Sequence, residues 1–202
     1  PGGIETSLVR SFGISGVMCF TAALFLSTLF RWFPRLAPHW RFRRYAGVAG
    51  FIFITFHILF ATGYLYLWDI RGWVYSYNPF VNPVLFGLLA WPIFFVMTAT
   101  STDWAMAKLG GKRWKNLHRS VYVAYLLAIF HFLTINPTAL KNPPGYLLLS
   151  FVAVTLCSMG YWFVKIVRQR KFRPWGLLYG IILILLAIAF AWGYSAFVVA
   201  PL

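Results

Sequence analysis

Four side chains of this sequence have the chemistry to hold a transition metal: His39, His57, His118 and His131. His57 stands in the apolar run FIFITFHILFATGY, and His131 in YVAYLLAIFHFL. An ionisable group deep in hydrocarbon is costly unless it faces a bundle interior and meets a partner. His57 lies 13 residues beyond Arg44, the last basic residue before its run, and His131 lies 13 residues beyond His118. At the helical rise both imidazoles then sit about 20 Å from the same membrane edge. Two histidines at one depth on parallel helices are placed to grip a flat cofactor. Haem b fits that arrangement, because imidazole nitrogen is a good axial ligand and apolar walls exclude water and tune potential. Zinc would want four nitrogen, sulfur or carboxylate ligands, and this depth has too few. A structural histidine pair, bonding helix to helix, is the other reading.

Neighbouring residues bear on both readings. Gly50, seven residues before His57, returns to nearly the same helical face and leaves room for a macrocycle. Ala124 and Ala128 stand beneath His131 in the same sense. His118 lies at the basic edge, where a second haem could be held. The matching positions on the other span are Arg43 and Arg44, which suit haem propionates rather than iron. His39, in the adjacent loop, reads as a solvated histidine, with completion of a second site as the alternative.

The elements that must position these residues follow from composition. Of 202 residues, 61% are hydrophobic and 10% charged, with 18 Lys and Arg against three acids, Glu5, Asp69 and Asp103. A soluble domain has roughly a quarter of its residues charged, so this chain lacks the polar surface for water. Six apolar runs approach the roughly 20 residues that cross a bilayer, at about 9–30, 45–68, 83–102, 119–136, 146–166 and 175–198. The expected fold is an all-α integral membrane bundle of six helices forming one domain over residues 1–202. Three scattered acids exclude a carboxylate hydrolase or a two-metal site. Cys19 and Cys157 form no CxxC, and no phosphate-binding glycine loop occurs.

The net charge of +15 is an orientation signal and not a nucleic-acid footprint. Segments 31–44, 103–119 and 165–173 carry nearly all the Lys and Arg, whereas the alternate side has Arg10, Arg71 and Lys141. The basic segments are expected in the cytoplasm, with both ends of the chain outside. The implied setting is the bacterial inner membrane.

The stretch TSTDWAMAKLGGKRWKNLHRSVYVAYLLAIFHFL (100–133) resembles the ferric-reductase-like transmembrane domain family. Thr100-Ser101, Leu109-Gly110, Trp114, Leu117-His118, Tyr122 and His131 carry the likeness. RRYAGVAGFIFITFHILFATGY (43–64) matches the family's Arg-Arg…Gly…His helix. The resemblance covers about residues 10–166. It is nearest to the branch serving as haem subunit of the bacterial periplasmic methionine-sulfoxide reductase system.

That resemblance implies His57 and His131 as the outer axial pair and His118 as a ligand of a second haem. Oxidase members carry a further histidine on the first of these helices, where Arg43 stands here. A family helix before the first span has no counterpart, and 175–198 is additional. The implied function is electron transfer across the membrane by a subunit with no substrate-converting site of its own. The donor would be a cytoplasmic flavin reductase, bringing FMN, or a membrane quinol. The acceptor would be a periplasmic molybdopterin oxidoreductase. The alternative is an accessory or anchor subunit, with or without haem, in a larger respiratory or photosynthetic complex.

Overall fold

The computed structural model describes residues 3–135 and 143–168. They fall into two compact units, 1–155 and 156–202, the second described only through Arg168. Seven α-helices are described: α1 (Ile4–Trp32), α2 (Arg41–Phe60), α3 (Val84–Ala99), α4 (Asp103–Leu109), α5 (Gly111–His118), α6 (Val121–Ile135) and α7 (Pro143–Arg168). Among the described residues four helical stretches are long and apolar enough to span a membrane. Val84–Ala99 is apolar as well and reaches span length only when counted with α4, from which a 93° bend separates it. The chain is a multi-pass membrane protein; the sixth expected span, 175–198, lies outside the described residues.

Local sequence sets the breaks. Pro34 stops α1, and a tight 3-10 turn over Pro34–His39, with Pro38 inside it, follows. Thr102 caps α4 by accepting the Ala105 N–H. Gly110 takes the left-handed φ of 74° that separates α4 from α5, a value a side chain would resist. After α2 the chain widens into a π turn, Ala61–Leu65, the kind of irregularity that re-aims side chains near a site. Leu67 and Trp68 then take left-handed φ of 48° and 66° as the chain reverses.

Two helix pairs dominate the first unit, α1 with α2 and α3 with α6. Gly16 and Gly50 let α1 and α2 cross backbone to backbone: a Cβ on Gly50 would lie 3.1 Å from the Gly16 carbonyl oxygen. Gly50 thus serves the crossing of the two helices. In the second pair the corresponding small residues are Ala90 and Ala124, both buried. Large apolar side chains such as Ile52, Phe56, Leu59 and Leu89 remain exposed, as a lipid-facing surface requires.

Candidate cofactor site

A shift of 74 residues carries the first helix pair onto the second. It takes Phe12-Gly13 to Phe86-Gly87, Phe56-His57 to Phe130-His131 and Trp40 to Trp114. Contacts repeat with the residues. Phe12 and Phe56 have ring centroids 5.6 Å apart, as do Phe86 and Phe130. Thr21 bonds Tyr125 in one direction, and their counterparts Phe95 and Phe51 pack in the other. When residue i meets j and j meets i, the two halves are related by a two-fold axis.

His57 and His131 are each other's counterparts, and they meet. Their ring centroids are 6.0 Å apart. His57 Nδ1 lies 2.8 Å from the Val9 carbonyl, and His131 Nδ1 lies 3.0 Å from the Pro83 carbonyl. A carbonyl only accepts, so each Nδ1 carries the proton and each Nε2 keeps its lone pair. Gly13 and Gly87 make room for the rings. A Cβ on Gly13 would stand 3.0 Å from His57 Nδ1, and one on Gly87 3.3 Å from His131 Nδ1. Locking one ring nitrogen on a carbonyl is how proteins orient a histidine ligand.

The pair lines a cavity of about 610 Å³, together with Gly13, Gly87, Ala128 and Phe94. That is the size range of small-molecule sites. A metal–imidazole bond is about 2 Å and a ring nitrogen lies roughly 1 Å from its ring centre, so one metal between two imidazoles separates centroids by about 6 Å. The observed spacing meets this. Among the described residues no three His, Cys, Asp or Glu side chains cluster. A metal here needs a macrocycle to complete its coordination, and the donor set fits a bis-imidazole haem.

One end of the cavity, beside the 66–82 loop, is polar. Thr6, Arg10, Tyr66 and Trp73 line it. The sequence reading places Arg10 among the outer-side charges but gives no cofactor role to these four, nor to Val9, Pro83, Gly13 and Gly87. The repeated Phe-Gly dipeptides were the available signal.

The other expected residues lie elsewhere. His118 stacks on Trp114 at 3.8 Å. Its Nδ1 lies 3.1 Å from the Trp114 carbonyl and its Nε2 3.3 Å from Ser101 Oγ. Its counterpart is Arg44, which lies over the Trp40 ring at 5.3 Å and pairs with Asp103 at 2.8 Å. Arg43 adjoins it in the first turn of α2. His39 is exposed and neighbours Phe42, 5.9 Å between ring centroids. Among the described residues no second histidine is recorded in contact with His118.

Comparisons with known proteins agree with this architecture. The family described as ferric reductase like transmembrane component matches residues 12–129. Relatives named protein-methionine-sulfoxide reductase heme-binding subunit MsrQ include one from Bordetella pertussis, 36% identical over 62% of this chain and 59% of its own length. Another, from Azospira oryzae, is 34% identical over 68% of this chain and 57% of its own length. A third, from Salmonella arizonae, is 30% identical over 86% and 83%. The match thus spans under two thirds of the Bordetella and Azospira proteins. No solved structure matches.

Proposed function

This chain belongs to the ferric reductase like transmembrane component family, and from that premise we propose that it is a b-type haem subunit carrying electrons across the bacterial inner membrane. The observation that carries the reading is the His57–His131 pair, 6.0 Å between centroids with both Nδ1 atoms engaged. Bound haem would supply a one-electron couple at its iron. The chain's own residues do the rest. His57 and His131 offer Nε2, and the Val9 and Pro83 carbonyls hold the ring orientation. Gly13 and Gly87 leave the rings their place, and Ile54, Ile58, Leu88, Phe94 and Phe132 wall off water.

The basic segments 31–44 and 103–119 face the cytoplasm by the positive-inside rule, where a flavin reductase or a membrane quinol delivers electrons. The cavity lies toward the opposite face. There the recipient is a periplasmic molybdopterin oxidoreductase acting on methionine sulfoxide, in keeping with the MsrQ relatives' printed names. His118 and the arginines at positions 43 and 44 mark the cytoplasmic end, where a second haem would have His118 as ligand.

The test is the visible spectrum and haem content of the purified protein beside His57→Ala. The wild-type protein should show a low-spin b-type spectrum that the variant loses while still inserting in the membrane. A variant retaining the full low-spin signal would sink the assignment.

A further inference from the structure

The two halves of the bundle agree at the histidines and disagree at one end of the cavity. There the repeat sets Thr6 against Phe80 and Arg10 against Val84. Among the described cavity-lining residues Arg10 alone bears a fixed charge, and no described carboxylate pairs with it. Trp73 lines the same cavity, and its Nε1 is buried with no hydrogen-bond partner among the described residues. A buried donor left unpaired costs stability, so the site is built for an acceptor it does not itself contain.

Haem has the complementary asymmetry, an apolar ring with two carboxylates on one edge. We propose that Arg10 and the indole N–H of Trp73 are the receptor for those carboxylates, fixing the macrocycle with its acidic edge toward the 66–82 loop. The proposal rests on the haem reading above. Arginine suits the task because its planar fork meets a carboxylate with two parallel hydrogen bonds. Trp73 adds a neutral donor from the loop side, and its ring stands 6.4 Å from that of Tyr66, whose phenol O–H is a further donor at the same rim. Arg10 and Trp73 are positioning residues: they touch the edge of the cofactor and leave the iron to the histidines.

The competing source of acidic oxygen for Arg10 is a lipid phosphate at the membrane surface. The experiment separates the two. Full-length apoprotein in detergent, and again in phosphatidylcholine vesicles, is titrated with haemin and with haemin dimethyl ester, whose carboxylates are blocked. Wild-type protein should bind haemin about ten- to a hundredfold more tightly than the diester, the worth of a charge-assisted hydrogen bond or two. Arg10→Leu should lose most of that preference and Trp73→Phe part of it, with diester affinity unchanged in both. Arg10→Lys should fall between. Equal wild-type affinity for the two compounds, or an Arg10→Leu variant that weakens both alike, would overturn the proposal and leave Arg10 to lipid or to folding. Failure of haemin itself to give a low-spin bis-imidazole spectrum in wild type would overturn the haem reading, and this proposal with it.

Discussion

Phe20 and Phe94 stack face to face with centroids 3.9 Å apart and planes 10° from parallel, each ring lying against its own counterpart in the other half of the bundle. Only residues on a two-fold axis meet themselves in this way. His57 and His131 are another such pair. A cofactor held by them would therefore sit on the axis. The bundle presents it with two similar walls, which α1 with α2 and α3 with α6 supply. The axis runs along the helices, since α1 and α3 travel in the same direction, the parallel-repeat arrangement known in membrane proteins.

The glycines beside the histidines follow the repeat but differ in tightness. A Cβ would come within 3.0 Å of His57 Nδ1 at position 13 and within 3.3 Å of His131 Nδ1 at position 87. The nearest atoms belong to rings pinned by backbone carbonyls, so neither ring yields freely. Gly13→Ala should shift the low-spin spectrum and lower haem retention more than Gly87→Ala does. Optical spectra and haem-to-protein ratios check this; the reverse order would show that the His131 side is the stiffer.

At the α1–α2 crossing a Cβ on Gly16 would fall 2.6 Å from Ile54 Cγ1. Gly16→Ala alone should destabilise the protein by about 1–3 kcal/mol, the cost of overpacking a tight contact. The second half already holds the compensated version, with Ala90 at the place of Gly16 and Ala128 at the place of Ile54. The double variant Gly16→Ala with Ile54→Ala should recover part of the loss. Thermal unfolding of detergent-solubilised protein reads both, and a strictly additive double variant would refute the pairing.

Much of this was open to a reader of the sequence. The apolar runs located the helices, and equal depth singled out His57 and His131 because hydrocarbon tolerates few unpaired polar groups. Helical ends were less legible. The run 83–102 is cut at Ala99 by the turn before Thr102. The π turn after Phe60 carries no composition signal at all. The helical count puts Gly50 on the face of His57 but cannot say which neighbour meets that face; in the structure it is α1, through Gly16, Cys19 and Phe20. The carbonyls of Val9 and Pro83 are backbone atoms and leave no mark in residue type, though a search at a fixed offset would have aligned their helices through the Phe-Gly and Phe-His pairs.

Asp103 gives the expected pH dependence at the opposite end. Arg44, by its hydrogen bond first and its charge second, holds the Asp103 carboxyl below its ordinary value. A group depressed on folding contributes stability above its unfolded value, and that contribution disappears as pH falls through the folded value. Asp103→Asn should match wild type at low pH and be slightly less stable at neutral pH. The carboxylate is exposed, so the difference is small and should shrink further in high salt. Unfolding midpoints between neutral pH and about pH 3 check the direction.

His118 separates the two ends of the molecule. Both its ring nitrogens have protein neighbours, Ser101 Oγ and the Trp114 carbonyl, and Trp114 in turn donates its Nε1–H to the Thr100 carbonyl at 2.9 Å. The histidine thus ties the end of α5 to the end of α3, far along the helices from His131. His118→Ala should leave the low-spin signal of the His57–His131 centre at full intensity while loosening the 100–118 segment, seen as faster proteolysis there. Any haem missing from the variant, counted per chain, must then have been bound at the His118 end. Loss of the His57–His131 signal itself would instead mean that the two ends are coupled through α6, the helix that runs from one to the other.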